Sequence, residues 1–241
     1  MRRPDMKTDE LILDSLSKLG IDISIDDGDM HSNRIAVIAD ELARFAEESA
    51  DTIYKKRLHN SKLVEPVYFS DYIDKPDRGL DIDFLTELHT LEFMKKRSHL
   101  VIWGNPGTGK SWLADSLATT ACKAGKRVRK VDFQPFCREL ASYKLANDAE
   151  ALERKLKYYS RFDLLVIDEF LNYDLDDAYL LQELFKRIED LRLCTLIVCC
   201  QTEPSNWPKL FKVKSFGESV RGRILKGGKI LHTQGCDMRL L

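Results

Sequence analysis

The sequence predicts an α/β fold, a five-stranded parallel sheet between helices, preceded by a small helical N-terminal domain. Three observations lead there. From about residue 81 onward, short and wholly apolar runs alternate with helical stretches, and strands apolar throughout are those buried on both faces of a parallel sheet. A glycine-rich turn joins the first of these runs to the helix after it. The first 60 or so residues carry only helical periodicity.

Taken in order, Leu11, Ile12, Leu16 and Leu19 recur at helical spacing before Gly20 stops the first helix. An acidic loop (Asp26, Asp27, Asp29) follows, then a second stripe of Ile35, Ile38, Leu42, Phe45 and Ala46 that ends in Lys55-Lys56-Arg57. Pro66, Pro76 and Gly79 mark residues 60–80 as a linker or irregular strap. A helix is expected over 81–96, then strand Leu100-Val101-Ile102-Trp103, the glycine-rich turn, and a helix carrying Trp112, Leu113, Leu117 and Ala121. Strand Val128–Phe133 precedes two helical stretches reaching about residue 159. Leu164-Leu165-Val166-Ile167 leads to a helix over 177–190, Thr195–Cys200 to a loop and a helix over 216–225, and Lys229–His232 forms a fifth strand.

Composition narrows the classes. Lys+Arg number 38 and Asp+Glu 39, a formal charge of −1, with 44% hydrophobic and 32% charged residues; the chain is globular, not disordered and not a uniformly basic nucleic-acid coat. No apolar run approaches the ~20 residues of a membrane span. Met1-Arg2-Arg3-Pro4-Asp5 opens no signal-peptide core, so a cytoplasmic protein without membrane partners is expected. The six cysteines (122, 137, 194, 199, 200, 236) form no CxxC pair and read as small buried hydrophobes, not zinc ligands.

Gly104-Asn105-Pro106-Gly107-Thr108-Gly109-Lys110-Ser111 fits G-x-x-x-x-G-K-[ST] between a buried strand and a helix. Glycines let successive N–H groups turn inward around phosphate oxygens, and the helix N-terminus behind them adds a favourable dipole. Lys110 is expected to reach the β- and γ-phosphates of ATP, and Ser111 to ligate Mg²⁺; Trp112 completes the nucleotide-binding set. Asp168-Glu169 ends the third strand, 58 residues after Lys110. Asp168 there would hold Mg²⁺ through its water shell, and Glu169 would orient and deprotonate a water. That arrangement favours hydrolysis over transfer to a small acceptor, which argues against a small-molecule kinase.

These residues resemble the AAA+ ATPases, specifically their IstB-like and DnaC-like branch. The P-loop wording Asn105-Pro106-Gly107-Thr108, the segment Phe162–Glu169, and Thr195–Trp207 with Gln201 after the fourth strand are similar to that branch's Walker A, Walker B and sensor 1 segments. The resemblance covers roughly Leu63–Leu241, which sets an ATPase domain at 63–241 and a helical N-terminal domain at 1–62. It implies that Gln201 hydrogen-bonds the γ-phosphate or the attacking water, and that Arg223 is the arginine finger acting on a neighbouring subunit's ATP, with Arg221 as the alternative. Arg239 resembles a terminal arginine that would substitute for sensor 2. Cys199-Cys200 and Phe170-Leu171 depart from the branch's usual residues. The chain ends about 40 residues after Gln201, too few for a helical lid, a feature IstB-like proteins share.

Charge is unevenly placed. Asp163–Asp190 holds nine acidic against two basic residues, and Trp207–Leu241 eight basic against two acidic. Lys123, Lys126, Arg127, Arg129 and Lys130 form an acid-free basic run. Lys144, Arg154, Lys155, Lys157 and Arg161, interleaved with Tyr158, suit contact with DNA phosphates and some stacking. The expectation is therefore an ATP-hydrolysing, DNA-binding helper of transposition, assembling as an ATP- and DNA-dependent homo-oligomer and recruiting or stimulating a transposase. The alternative is a DnaC-type loader of a replicative helicase.

Overall fold

The computed structural model describes residues 10, 14–17, 33–72, 79–172, 178–191, 194–235 and 237–238, with the backbone alone for 33–41 and 178. Two units are compact by themselves, Met1–Lys56 and Arg57–Leu241. In the first, residues 14–17 are helical; the rest of the helix expected around Leu11–Leu19, and the acidic loop, lie outside the described residues. Helix α1 is Asn33–Ser61, longer than the apolar stripe that announced it. Ala46 is buried, but Phe45, read as part of the same stripe, is 59% exposed.

The second unit holds the sheet. After a 3₁₀ turn at Phe69–Asp71 come α2 (Ile82–His89) and a single turn α3 (Glu92–Lys95). One helix over 81–96 was expected; Leu91 instead adopts φ 60° and divides it. The Asp81 carboxylate caps α2 by accepting from the Asp83 N–H at 2.9 Å. Then follow β1 (Leu100–Gly104), α4 (Lys110–Lys123), β2 (Val128–Asp132), α5 (Phe133–Leu145), α6 (Ala149–Tyr159), β3 (Leu164–Phe170), α7 (Ala178–Leu191) and β4 (Thr195–Cys200). A 3₁₀ segment Pro204–Leu210, α8 (Lys214–Leu225) and β5 (Lys229–Thr233) complete it. The strand order is β2-β3-β4-β1-β5, and every pairing is parallel. No described helix is long and apolar enough to cross a membrane.

The main core joins alternate strand residues (Val101, Leu165, Ile167, Leu196, Val198, Cys200) to Phe133, Phe136, Leu140, Leu184, Phe185, Trp207, Val220 and Ile224 from the following helices. The intervening positions (Ile102, Leu164, Val166, Ile197, Cys199) are buried as well, and α4 packs along β1, β3 and β4. This double burial is why the strands read as continuous apolar runs. Five described cysteines are free and buried, as expected of small hydrophobes; Cys137 and Cys200 are both pushed up to about 12 by desolvation.

His99, just before β1, ties three strands together at the opposite edge from the glycine-rich loop. Its Nδ1 accepts from the Leu196 N–H at 3.1 Å, and its carbonyl accepts from the Lys229 N–H at 2.8 Å. Burial lowers its pKa from 6.5 to about 4, against the opposing charge of Glu189. Between those values the unfolded chain binds the proton that the folded chain refuses, so stability is complete above about pH 6.5 and falls as pH drops toward 4. Denaturant titrations at about pH 7.5 and about pH 5 should differ by about 2 kcal/mol from this residue. His99→Gln should flatten that difference.

Candidate functional site

Because all five strands are parallel, the segments leaving β1, β3 and β4 emerge at one edge, where α/β proteins hold their ligands. The strand order sets β4 between β1 and β3, so the glycine-rich loop, Gln201 and the Asp168-Glu169 pair lie along that edge in turn.

The loop is held open by contacts distant in sequence. Gly107 and Gly109 have φ of 78° and 86°, a conformation that L side chains rarely adopt. A Cβ on Gly107 would lie 2.1 Å from Oδ1 of Asp237, so that position has neither the dihedral nor the room for a side chain. The Thr108 hydroxyl donates to the Asn105 carbonyl at 2.8 Å and lies 2.7 Å from the Thr233 hydroxyl. Thr233 Oγ1 in turn donates to the Trp103 carbonyl at 3.3 Å. The Met238 N–H donates to the Gly107 carbonyl at 2.9 Å. Lys110, in the first turn of α4, donates from Nζ to the Asn105 carbonyl at 2.7 Å. Asn105, Pro106 and Ser111 are exposed around the mouth. Trp112 is half-buried, its ring 6.0 Å from that of Tyr72.

Ser111 Oγ donates to Asp168 Oδ1 at 3.1 Å, and the Glu169 N–H donates to the same oxygen at 3.0 Å. The second oxygen, Oδ2, lies 3.2 Å from Lys130 Nζ. Lys130 also reaches both oxygens of Asp115, at 2.8 and 2.9 Å. Desolvation alone would depress the Lys130 pKa, but the charges and hydrogen bonds of Asp115 and Asp168 outweigh it and the pKa rises. Burial raises that of Asp115 despite Lys130. Lys130, the last member of the acid-free basic run 123–130, is an internal cation. The sequence names Lys130 only as part of a basic run and Asp115 not at all, and no local signal announces a pair 15 residues apart.

At Glu169 the β3–β4 register shifts between Ile167 and Phe170. Glu169 and Leu171 have φ of 53° and 57°, and non-glycine residues in that region cost about 1–3 kcal/mol each, typically at functional sites. The bulge sets Asp168 buried beside Ser111 while Glu169 is exposed. The Glu169 carboxylate makes no hydrogen bond among the described residues. Gln201 is likewise exposed, one residue past β4. Behind it, Cys199 Sγ points at the Lys110 carbonyl at 3.7 Å, and the buried Trp207 donates from Nε1 to the Thr202 carbonyl at 3.1 Å, pinning the turn.

Arg223, on α8, is half-buried and engaged within its own chain. Its Nε lies 3.3 Å from Glu189 of α7, and its Nη1 donates to the Ser219 carbonyl at 3.2 Å and to the Ser219 hydroxyl. Arg221 is half-buried, and its buried Nε has no hydrogen-bond partner among the described residues. Arg239 lies outside the described residues.

The residues assigned to DNA divide. Arg154, Lys157, Tyr158 and Arg161 line one cavity of about 460 Å³ together with Arg127 and Phe162. Lys155 turns instead to Glu139 at 2.6 Å, and Lys144 stands over the Tyr179 ring at 5.7 Å.

Chemically, the loop edge suits a polyphosphate. The Ser111 hydroxyl and Asp168 carboxylate are hard oxygen donors and fit a Mg²⁺ that keeps waters and takes its remaining ligands from phosphate. Among the described residues no group of three or more His, Cys, Asp or Glu could hold a metal by itself.

A family model described as IstB-like ATP binding protein matches residues 31–241. The chain is 27% identical over 190 residues to an ATP-binding protein of insertion sequence IS21 from Pseudomonas aeruginosa, covering 77% of this chain and 69% of that one. It is 27% identical over 214 residues to the insertion sequence ATP-binding protein y4uH of Sinorhizobium fredii, covering 88% and 83%. Among solved structures, the DnaC helicase loader superposes with a TM-score of 0.58 at 15% identity, over 75% of this chain and 99% of that one. AMPPCP-bound DnaA from Aquifex aeolicus gives 0.57 at 19%, over 74% of this chain and 54% of that one. This chain thus spans about half of the DnaA chain; these two likenesses concern the fold.

Proposed function

Because this chain belongs to the family of IstB-like ATP-binding proteins, we propose that it hydrolyses ATP as a DNA-binding helper of transposition. In this reading residues 63–241 form the ATPase domain and 1–62 a separate helical domain. The observation that carries it is the conjunction of the braced loop with the Ser111–Asp168 contact of 3.1 Å and a bulge that exposes Glu169 beside it.

The loop N–H groups and the α4 N-terminus would take the phosphates, and the Lys110 ammonium would exchange the Asn105 carbonyl for β- and γ-phosphate oxygens. Mg²⁺, held by Ser111 and Asp168, would neutralise charge developing on those oxygens. Glu169 would accept a proton from the attacking water, and Gln201 would hydrogen-bond that water or the γ-phosphate. An arginine from a neighbouring subunit would complete the site, worth roughly 10³–10⁵ in rate. For Arg223 to serve, its contacts with Glu189 and Ser219 must open on assembly. The basic face of α5 and α6 would meet DNA phosphates, and a transposase would be recruited by the assembled, ATP-bound state.

The test is sedimentation on duplex DNA with ATP and Mg²⁺. Wild type should assemble, and Lys110→Ala should remain as small as wild type without nucleotide. Assembly of Lys110→Ala equal to wild type would overturn the nucleotide switch. Pull-down of the ATP-bound chain against a transposase and a replicative helicase then decides the partner; capture of the helicase alone would replace the transposition reading with the loader one.

A further inference from the structure

At the N-terminal edge of the sheet, opposite the phosphate loop, lies the cavity of about 460 Å³ lined by Arg127, Arg154, Lys157, Tyr158, Arg161 and Phe162. Arg127 opens the approach to β2, Phe162 precedes β3, and the other four come from α6 and the turn after it. It lies at the opposite ends of β2 and β3 from the Asp168-Glu169 pair of the proposed ATP site.

Its lining has two parts. Four side chains are cationic. Arg127 is exposed and pairs with Asp163 at 3.3 Å, and Arg154 pairs with Glu150 at 3.3 Å across one helical turn; such exposed pairs are weak and exchange readily for another anion. Lys157 and Arg161 are exposed and make no side-chain hydrogen bond or ion pair among the described residues. The other part is aromatic. Tyr158, 43% exposed, meets Phe162 edge to face, with centroids 5.0 Å apart at 88°, and meets Tyr159 at 5.2 Å and 73°. Two rings nearly perpendicular form a corner, and the Tyr158 hydroxyl makes no hydrogen bond among the described residues. Lys155, 5.3 Å from the Tyr158 ring centroid, does not line the cavity.

Cations alone would suit any polyanion, and a helical face of lysines suits the outside of a duplex. A ring corner within the basic recess selects further. It rewards a flat group, and in a nucleic acid the flat faces of bases are accessible only where they are unpaired. The volume lies within the range of small-molecule sites and far below what a duplex would occupy. We propose that this cavity binds a single nucleotide unit with an unpaired base, its phosphate among Arg127, Arg154, Lys157 and Arg161 and its base against Tyr158, and that the unit belongs to a strand, not to a free metabolite. The inference rests on the DNA-binding reading above and sharpens it: this part of the face reads strand separation, not duplex backbone alone.

The test is fluorescence anisotropy of the full ATP-bound chain with a labelled single-stranded oligonucleotide and a blunt duplex of equal length. The quantity read is the ratio of the two affinities. Tyr158→Ala should lower the single-strand to duplex ratio about tenfold, the scale of one stacked base. Tyr158→Phe, which retains the ring, should keep the wild-type ratio. Arg161→Ala should weaken single-strand binding and reduce its salt slope by about one. Thermal melting and ATP affinity of each variant confirm that the fold is intact. An unchanged ratio in Tyr158→Ala overturns the proposal, as does equal weakening by Tyr158→Phe. Displacement of the oligonucleotide by thymidine monophosphate at equal concentration would overturn the assignment to a strand. Wild type that binds duplex but not single strands removes this inference and leaves the DNA reading standing; wild type that binds neither removes both.

Discussion

Lys130→Met should lower the unfolding free energy by about 3–5 kcal/mol, the usual consequence of removing one partner from a buried ionic network. The three side chains concerned are 15%, 19% and 9% exposed for Lys130, Asp115 and Asp168. Without the ammonium, two carboxylates remain buried near one another with no cation between them. The paired change Lys130→Met/Asp115→Asn should recover much of the loss, because the remaining Asp168 still accepts from Ser111 and from the Glu169 N–H. Urea denaturation of the two variants measures this directly. A single variant within about 1 kcal/mol of wild type would mean that the network is solvated and that Lys130 belongs with the basic run its sequence neighbours suggest.

Glu169→Gln is expected to leave ATP affinity near wild type and slow phosphate release by about 10²–10⁴-fold, the span attributed to a positioned general base. The substitution keeps size and the Glu169 N–H that holds Asp168, so the local bulge survives. Single-turnover phosphate release, set beside equilibrium nucleotide binding, separates the two effects. Equal loss of binding and turnover would assign Glu169 to holding the carboxylate edge, not to activating water.

The contrast between these two residues shows what was legible beforehand. Glu169 was marked by its neighbours: an apolar strand, an Asp-Glu pair and a glycine-rich turn all occur as contiguous words. Lys130 was hidden because a basic residue in a basic run carries no mark of which carboxylates the fold will bring to it. The resemblance gave Arg223 a trans role, yet Arg223 bonds to Ser219 one turn back on α8 and meets Glu189 only where α7 packs on α8. The helix expected over 81–96 failed at Leu91, whose positive φ ends one helix and begins another without any glycine or proline to announce it. Thr233, Asp237 and Met238 were also invisible as supports of the phosphate loop, since over 120 residues separate Thr233 from Thr108.

By itself the sequence determined the layered α/β class and the chemical identity of the loop edge. Apolar runs can be buried on both faces only in a covered parallel sheet, and N–H groups can converge on phosphate only where glycines allow the turn. Tertiary structure alone decided the strand order that brings Asp168 beside Ser111, the internal cation behind that carboxylate, and the separation of one basic face into a ring-walled recess and residues turned elsewhere. The physical reason is range. Periodicity and turn chemistry act over a few residues and are written locally, whereas ion pairing and cavity formation depend on which distant segments the folded sheet sets side by side.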